Sequence, residues 1–473
     1  MRETFAKGNF KEFISKIKDK ENDMFFKKIE TEGLAQYSYM IGDDGDIAVI
    51  DPRRDVEIYM HEARKAGKKI KYIFETHRNE DFVAGSMELA ENSGATIYIS
   101  GHEDLGHVYG EKIQDGFKLD IGKITIKAIH TPGHTLGHMC YAVFEEGKEE
   151  AYLVFTGDCL FMGDLGRTDF YGEENLIKMT GLLYESVFKK LLPLGDHVLM
   201  CPAHGAGSAC GEVMDERPYS SLGYEKITNE LLQVKSKKAF IEQFARMRIK
   251  PRYFERMEDL NVKGADFVRN EVVLNTLTVD EVAEIKDDIL LIDVRSKEGY
   301  IGGHIPGSIY LPKGNLTAFL GAIYFPDDKI AFIIDGQMGE MEEIFWYCRR
   351  IGFDNIVGYL PDSIEMWQES GRDVGQLATI SAKDYKEMSK GEDYILLDIR
   401  DYSEMESNDP DKNKVSIPLN SLYANIDKLD KDKILYVLCG SGNRATTAAA
   451  YLKVKGYDVV VITGGVEMYR NIA

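Results

Sequence analysis

The chain has 473 residues, of which 44% are hydrophobic and 29% are charged, and its formal net charge is −21 at pH 7. This length predicts roughly three domains, and the apolar fraction is sufficient for each to have a core. The strong negative charge argues against general nucleic-acid binding and against an anionic membrane surface as a partner. No apolar run is long enough to cross a bilayer, and residues 1–20 lack the apolar stretch of a signal peptide, so we expect a cytoplasmic protein.

The cysteines point to the same compartment. They are scattered along the sequence and include no Cys-x-x-Cys pair, which is not the pattern of a disulfide framework. A reducing compartment is therefore expected. The cysteines are Cys140, Cys159, Cys201, Cys210, Cys348 and Cys439.

The first half of the chain alternates between short strand-like runs and helical segments, after a predicted helical arm at residues 1–22. Helices are predicted over residues 57–66 and 86–92, and residues 220–260 are rich in helical segments. Because most of the strand-like runs end in a polar or glycine-rich corner, the pattern predicts a layered α/β domain whose site gathers at strand ends. The predicted strands cover residues 47–50, 72–74, 96–99, 124–129, 152–155 and 198–200.

Potential metal ligands lie at four of these corners. The first corner, residues 76–82, reads Thr-His-Arg-Asn-Glu-Asp-Phe, and the other three contain His134, Asp158 and His204. His134 follows a Pro-Gly pair, which predicts a stiff, sharp turn at a strand end. A metal ion needs an imidazole that a rigid support holds in place in advance, so this turn suits a ligand.

This arrangement resembles the metallo-β-lactamase superfamily over residues 23–265. The family's first motif reads Thr-His-x-His-x-Asp-His, and His77 and Asp81 match two of its ligand positions. Asn79 and Phe82 stand where the family has two histidines, one for each metal of its two-zinc hydrolases. The resemblance therefore implies an αββα sandwich in which a two-zinc centre has lost much of both coordination shells.

The metal-ligand positions that survive are His77, His134 and Asp158. Two imidazoles and one carboxylate with open positions are typical of non-haem Fe(II) oxygenases. The same three positions match the iron ligands of the persulfide dioxygenases, a branch of this superfamily. The resemblance implies one Fe(II) per chain, with positions left for a substrate sulfur and for O₂.

Other residues acquire expected roles from the same resemblance. Arg167 matches a position that helps to bind the thiol carrier of the substrate, and a structural ion pair is the alternative interpretation. Asp81 and His204 match the second metal site, which we expect to be empty, so we interpret them as groups that orient ligands or face the substrate. Cys201, which lies shortly before His204, is either a sulfur relay or an inert wall residue.

The second half of the chain contains an internal repeat. Residues 289–295 read Ile-Leu-Leu-Ile-Asp-Val-Arg, and residues 395–400 read Ile-Leu-Leu-Asp-Ile-Arg. In both copies a strand-loop corner follows at a similar interval, at Asp335 and at Cys439, and a glycine lies 17 residues beyond that corner. This matched spacing predicts two tandem α/β domains of about 100 residues each.

The corner of the second copy is a candidate catalytic loop. Residues 439–444 read Cys-Gly-Ser-Gly-Asn-Arg and lie between a predicted strand and a predicted helix. The backbone N–H groups of such a loop form an anion-binding nest, and a cysteine at its mouth is activated as a nucleophile. The loop resembles that of rhodanese sulfurtransferases, which predicts Cys439 as the catalytic residue, with a buried structural cysteine as the alternative. The predicted substrate-binding residues are Gly440, Ser441, Gly442, Asn443 and Arg444.

The first copy resembles rhodanese in the Gly-His-Ile-Pro-Gly run at residues 303–307, but its loop at residues 335–340 reads Asp-Gly-Gln-Met-Gly-Glu. A carboxylate in place of the thiol cannot carry a persulfide, and a second carboxylate in place of the arginine repels anions. This copy is therefore predicted to be catalytically inactive. The second copy has Val-Ser-Ile-Pro at residues 415–418 and lacks the full Gly-His-Ile-Pro-Gly run.

As a whole, the chain resembles a fusion of a persulfide dioxygenase and a rhodanese. Its predicted parts are an arm at residues 1–22, a metallo-β-lactamase-like domain at 23–268, an inactive rhodanese-like domain at 269–375 and an active rhodanese domain at 376–473. The resemblance implies sulfide detoxification, in which O₂ oxidises a low-molecular-weight thiol persulfide to sulfite and a sulfur transfer makes or uses thiosulfate. It also implies a homo-oligomer, either a dimer or a tetramer.

Two other functions remain compatible with the residues. One is a thioester hydrolase of the glyoxalase II type with a single zinc ion, against which Asn79 and Phe82 weigh. The other is a non-enzymatic sulfur sensor or scaffold, which the inactive first repeat favours and the intact Cys439 loop opposes.

Overall fold

The computed structural model describes residues 24–269, 274–336, 338–361, 363–388, 393–407 and 409–472. The predicted arm at residues 1–22 lies outside the described residues. Contacts within the chain divide it into two compact units. The first comprises Met1–Arg248 with Glu258–Asn270, and the second comprises Ile249–Met257 with Glu271–Ala473.

The first unit contains two sheets. The strands of the first sheet, in the order β1-β2-β3-β4-β5-β6 across it, are β1 (Phe25–Thr31), β2 (Gln36–Asp43), β3 (Asp46–Ile50), β4 (Lys69–Phe74), β5 (Thr96–Ser100) and β6 (Glu111–Ile113). The strands of the second sheet are β7 (Lys118–Ile121), β8 (Ile124–His130), β9 (Met139–Glu145), β10 (Ala151–Gly157), β11 (Leu199–Pro202) and β12 (Ser220–Ser221). Their order across the sheet is β12-β11-β10-β9-β8-β7.

Helices cover the outer faces of both sheets. Tyr59 and Leu89 pack on the first sheet, and Leu183 and Phe240 pack on the second. These helices, with two others in this part of the chain, are α1 (Glu57–Ala66), α2 (Ser86–Ser93), α3 (Glu173–Glu185), α4 (Leu222–Thr228), α5 (Lys237–Phe244) and α6 (Phe254–Lys263). The fold is therefore the αββα sandwich that the resemblance implied.

Strand β3 illustrates why residues 47–50 form an uninterrupted apolar run. Ile47 and Val49 belong to the apolar cluster beneath α1 and α2, whereas Ala48 and Ile50 belong to the cluster between the two sheets. Successive side chains of a strand point to opposite faces, so a strand that is covered on both faces needs apolar residues throughout. The ligand-bearing corners follow the ends of β4, β8, β10 and β11.

The second unit contains two parallel sheets in tandem. The first has α7 (Val279–Ile285), β13 (Leu290–Asp293), α8 (Lys297–Gly302), β14 (Ile309–Tyr310), α9 (Leu316–Ile323), β15 (Ile330–Ile334), α10 (Met338–Arg350), β16 (Ile356–Pro361) and α11 (Ser363–Glu369), with strand order β14-β13-β15-β16. The second has β17 (Ala378–Ser381), α12 (Ala382–Met388), β18 (Tyr394–Asp398), β19 (Lys414–Ser416), α13 (Leu422–Asn425), β20 (Ile434–Leu438), α14 (Asn443–Val454), β21 (Val459–Thr463) and α15 (Gly465–Arg470). Its strand order is β17-β21-β20-β18-β19.

The internal repeat extends to individual side chains. At the end of β13, the Arg295 guanidinium lies 2.6 Å from the Asp293 carboxylate, and at the end of β18 the Arg400 guanidinium lies 2.7 Å from the Asp398 carboxylate. The aspartates are fully buried, so the recurring Asp-x-Arg triplet encodes the same internal ion pair in both copies. Within the described residues, no helix has both the length and the apolar character needed to cross a membrane.

Candidate functional site

The three predicted metal ligands of the first unit lie together. The Oδ2 atom of Asp158 is 3.4 Å from Nε2 of His134 and 3.9 Å from Nε2 of His77, and the ligand atoms of all three residues lie within 4.8 Å of one another. All three side chains are buried, and Nε2 of His134 and Oδ2 of Asp158 have no hydrogen-bond partner. Buried polar atoms normally have partners, so these converging atoms fit a bound cation.

Hydrogen bonds behind the two imidazoles set their tautomers. Nδ1 of His134 lies 2.8 Å from the carbonyl oxygen of Arg167, and because a carbonyl only accepts, Nδ1 is the protonated nitrogen. The hydroxyl of Thr76 donates its proton to Asp51 at 2.8 Å. It therefore accepts a hydrogen bond from Nδ1 of His77, 2.9 Å away, so Nδ1 is the protonated nitrogen of this imidazole as well. Both Nε2 atoms therefore present lone pairs to the centre, which is the arrangement of metal-binding histidines.

Burial also keeps these imidazoles neutral. It lowers the pKa of His134 to about 4 and holds the pKa of His77 well below its ordinary value, and the nearby Asp158 carboxylate only partly opposes this effect. Burial by itself would raise the pKa of Asp158, but His204, His134 and His77 together hold that pKa well below its usual range. At neutral pH the centre thus offers two neutral nitrogens and one anionic oxygen, with no proton for a metal ion to displace.

The backbone around Asp158 is tightly constrained. Its N–H donates to Nε2 of His138 at 3.0 Å. A Cβ atom on Gly166 would lie 1.8 Å from the carbonyl oxygen of Asp158 and 3.0 Å from Nδ1 of His134. Only glycine fits this close approach, because a methyl group there would push both ligands out of place.

The predicted second-site residues Asp81 and His204 lie next to this centre. The two nitrogens of His204 are each 2.8 Å from a carboxylate oxygen, Nδ1 from Asp158 and Nε2 from Asp81. Burial alone would lower the pKa of His204, but the two carboxylates together raise it well above its ordinary value. In this structure His204 links the surviving ligand set to the second position through its imidazole.

Two residues at the centre were not predicted from the sequence. Oε2 of Glu80 is buried without a hydrogen-bond partner, 3.9 Å from Nε2 of His77 and 3.8 Å from Nε2 of His134. Burial raises the pKa of Glu80 to about 8, although the neighbouring Arg78 opposes this shift. Cys210 brings its sulfur within 4.8 Å of the ligand atoms of Asp81 and His204. Glu80 was detectable because it lies inside the ligand-bearing corner, whereas Cys210 gave no signal in the sequence.

The residues that replace two family histidines belong to the packing around the centre. Asn79 and Phe82 are buried, and the side-chain amide of Asn261 donates to the backbone carbonyl of each, at 2.6 Å and 2.7 Å. The Phe82 ring lies 6.4 Å from the imidazole of His204. A phenyl ring is no metal ligand and an amide is a weak one for zinc, so the second position lacks imidazole donors from this corner.

Arg167 lies in a structural ion pair. Its Nε and Nη2 donate to the two carboxylate oxygens of Asp169, at 2.7 Å and 2.8 Å, and Nη2 also donates to the carbonyl of Arg248 at 3.0 Å. This agrees with the alternative interpretation of the sequence, and contact between Arg167 and a thiol carrier stays a prediction. The carbonyl of Arg167 accepts the hydrogen bond from His134, so the residue also supports a candidate ligand.

Cys201 lies in the apolar cluster between the two sheets, in company with Tyr39 and Phe155. Burial raises the pKa of its thiol to about 12, so the sulfur is protonated and weakly nucleophilic at neutral pH. This position favours the wall residue over the sulfur relay.

The second predicted site is the loop after β20. The backbone N–H groups of Gly442 and Ala445 point at Sγ of Cys439, at 3.1 Å and 3.4 Å, in the nest geometry expected for a thiolate. Gly442 has a φ of 109°, which favours glycine, and α14 begins at the next residue. The loop therefore has the backbone needed to stabilise an anionic sulfur.

The side chains of this loop are arranged around its mouth. Ser441 and Asn443 are exposed, and Nη2 of Arg444 would lie 3.7 Å from a Cβ atom on Gly440. Arg444 makes a two-pronged ion pair with Glu404, at 2.5 Å and 2.6 Å. In the first copy, the residue after β15 is the exposed Asp335 rather than a cysteine.

Family comparisons agree with this architecture. The family described as Metallo-beta-lactamase superfamily matches residues 31–204, and the family described as Rhodanese-like domain matches residues 278–370 and 381–471. The chain belongs to the metallo-beta-lactamase superfamily and carries two rhodanese-like domains after the metallo-beta-lactamase fold.

Individual relatives include both solved structures and a hydrolase. A metallo-beta-lactamase from Staphylococcus aureus subsp. aureus COL is 32% identical with a TM-score of 0.65, and the match covers 72% of this chain and 100% of that one. ETHE1 from Myxococcus xanthus is 26% identical with a TM-score of 0.43, over 50% of this chain and 96% of that one. Hydroxyacylglutathione hydrolase GloC from Haemophilus influenzae is 29% identical over 216 residues, which are 41% of this chain and 91% of the relative.

Proposed function

We propose that this protein is a mononuclear iron persulfide dioxygenase joined to a sulfurtransferase. The observation that carries the proposal is the converging set of two neutral imidazoles and one carboxylate, His77, His134 and Asp158, beside a second position at which Phe82 replaces a family histidine. Two histidines and a carboxylate with open positions suit ferrous iron better than a pair of zinc ions.

The proposed first reaction converts R–S–SH, O₂ and H₂O into R–SH, SO₃²⁻ and two protons. Ferrous iron, when bound, supplies the coordination positions at which O₂ and a sulfur ligand meet. The chain fixes the imidazole tautomers through Thr76 and the Arg167 carbonyl, and all of these groups are buried. Glu80, whose pKa is raised to about 8, is placed to hold or release one of the protons near the centre.

The proposed second reaction uses the sulfite made by the first. The Cys439 thiolate attacks the outer sulfur of the thiol persulfide, the S–S bond to the carrier breaks and the carrier thiolate leaves, so that Cys439 becomes Cys–S–S⁻. The sulfur lone pair of sulfite then attacks the outer sulfur of that persulfide. The S–S bond to Cys439 breaks, its electron pair returns to the thiolate, and thiosulfate leaves. The N–H groups of Gly442 and Ala445 stabilise the thiolate that is formed.

The proposed partners are a low-molecular-weight thiol persulfide, O₂ and sulfite or thiosulfate, handled by a homo-oligomer. One alternative has specific support. The similarity to hydroxyacylglutathione hydrolase GloC favours a zinc-dependent thioester hydrolase. The missing imidazole donors at Asn79 and Phe82 argue against that alternative, because a zinc hydrolase needs them to complete its coordination shells.

The two proposals are separated by metal content and oxygen uptake. Protein produced with ample iron and zinc is analysed for both metals, then supplied with a glutathione persulfide in an oxygen electrode and, separately, with a glutathione thioester. We expect about one iron per chain, held by His77, His134 and Asp158, and sulfite formed in proportion to the O₂ consumed. Zinc alone, thioester hydrolysis and no oxygen uptake would establish the hydrolase instead.

A further inference from the structure

The helix that follows the catalytic loop is buried on all sides. Residues 445–452 of α14 are buried, although they are rich in alanine and threonine and form no amphipathic pattern. The helix packs against β20 and β21 of its own copy and against β14 and α8 of the inactive copy. A helix that is covered on two opposite faces needs small residues around its circumference. The inactive copy thus lies directly against the element that positions the Cys439 loop.

One cation of the inactive copy reaches the loop itself. A Cβ atom on Gly442 would lie 3.9 Å from Nζ of Lys297, the first residue of α8. The side chain of Lys297 is 26% exposed, and Nζ lies 3.5 Å from the carboxylate of Glu298, which is 78% exposed. A contact with so exposed a carboxylate is weak and readily exchanged for another anion.

The charges around the loop leave Lys297 as the cation best placed for a substrate anion. The guanidinium of Arg444, the predicted anion-binding residue, already forms a bidentate ion pair with the carboxylate of Glu404. A second carboxylate, that of Glu467, would lie 3.3 Å from a Cβ atom on Gly440. A doubly charged oxyanion that approaches the Cys439 persulfide anion is repelled by both carboxylates. Its binding therefore needs a cation that is not already held in a close ion pair, as Arg444 is.

We propose that Lys297 of the inactive copy binds the sulfur oxyanion, sulfite or thiosulfate, at the mouth of the Cys439 loop. This inference rests on the proposed sulfurtransferase function. The ammonium group pairs with the sulfite oxygens and leaves the sulfur lone pair directed at the outer sulfur of the Cys439 persulfide. The same contact holds the sulfonate end of thiosulfate after the S–S bond to Cys439 has broken. The inactive copy then supplies the cation that binds the substrate, and it also packs against α14.

The test compares acceptors of different charge with the full chain. Lys297→Gln and Lys297→Arg are assayed for sulfur transfer to sulfite and to the uncharged thiol 2-mercaptoethanol. For Lys297→Gln we expect the KM for sulfite to rise about fivefold, which is the effect expected when one partly exposed ion pair with the substrate is lost. The kcat and the KM for the thiol should stay unchanged, and arginine should restore the KM for sulfite. Lys453→Gln, in the last turn of α14 away from the loop, is the matched control and should behave like the wild type.

Three results would overturn the inference. An unchanged KM for sulfite in Lys297→Gln would show that the ammonium group does not contact the acceptor. An equal rise in KM for both acceptors would show a structural role of Lys297 in place of anion binding. A wild-type protein that transfers sulfur to neither acceptor would instead overturn the proposed sulfurtransferase function, and this inference with it.

Discussion

Nδ1 of His204 lies 2.8 Å from Oδ1 of Asp158, so an imidazole of the second position orients a carboxylate of the first. The hydrogen bond occupies one oxygen of the carboxylate and leaves Oδ2 directed at His134, 3.4 Å away. A partner of this kind commonly fixes the direction of a metal ligand. The second position is thereby coupled to the first through a side chain.

The role of His204 is tested by removing its imidazole. We expect His204→Ala to lower the iron affinity about 10- to 100-fold, because Asp158 loses the group that directs Oδ2 inward. The measurement is a competition titration with a chelator of known affinity. His102→Ala is the matched control, since that imidazole stacks on His130 rather than touching the centre. An unchanged affinity in His204→Ala would show that Asp158 is held in place without it.

Gly166 is expected to tolerate no side chain. In Gly166→Ala the added methyl group clashes with the Asp158 carbonyl, so we expect protein that folds less stably and binds little iron. Metal content and the thermal unfolding midpoint measure the two effects. Gly314→Ala serves as the control, because a Cβ atom there meets no atom within 4 Å. Full metal content in Gly166→Ala would mean that the loop moves aside at little cost.

The two reactions are expected to separate by mutation. Cys439→Ser removes the only group of the loop that can carry a sulfane sulfur, so sulfur transfer to sulfite should fall to background while oxygen uptake remains. Asp335→Ala, at the corresponding corner of the first rhodanese-like copy, should change neither activity. Loss of oxygen uptake in Cys439→Ser would contradict the proposed division of labour between the two units.

Cys201 is expected to contribute to packing and not to catalysis. Cys201→Ala removes a buried sulfur from the cluster between the sheets, which should cost about 1 kcal/mol of unfolding free energy and leave oxygen uptake unchanged. Denaturant unfolding and an oxygen electrode measure the two quantities. If oxygen uptake were lost in a folded variant, the sulfur relay would become the better interpretation of Cys201.

Asp409 is expected to make the second unit sensitive to acid. Burial by itself would raise its pKa, but hydrogen bonds from Arg470, the Glu406 N–H and Arg400 hold that pKa well below its usual range. Because the folded pKa is below the unfolded one, this stabilisation is complete above the unfolded value of about 3.9 and is lost as the pH falls towards the folded value.

The corresponding variant is Asp409→Asn. We expect it to lose about 3 kcal/mol of unfolding free energy at pH 7, because two arginines lose their shared carboxylate. Denaturant unfolding at pH 7 and at successively lower pH should show the difference between wild type and variant narrowing on acidification. A difference that stays constant with pH would exclude Asp409 as the titrating group.

Much of the architecture follows from local patterns. The predicted strand at 47–50 lies within β3, and the helix predicted over 57–66 coincides with α1, because apolar periodicity and helix-ending glycines such as Gly67 act over a few residues. The candidate ligands His77, His134 and Asp158 each occupy a strand-end corner, which the local pattern indicated, and the resemblance to the superfamily singled them out among the corner residues.

The environment of each site residue was decided only by tertiary packing. Glu80 and Cys210 became candidate site residues only because segments far apart in the chain lie together in the fold. The guanidinium of Arg167 pairs with Asp169, and Cys201 lies between the two sheets. Lys297 reached the Cys439 loop from the other repeat. The sequence by itself determined the elements, the repeat and the residue types at the corners, because those depend on neighbouring residues. Which side chain pairs with which depends on rotamers and on contacts between segments far apart in the chain, and only the folded structure specifies them.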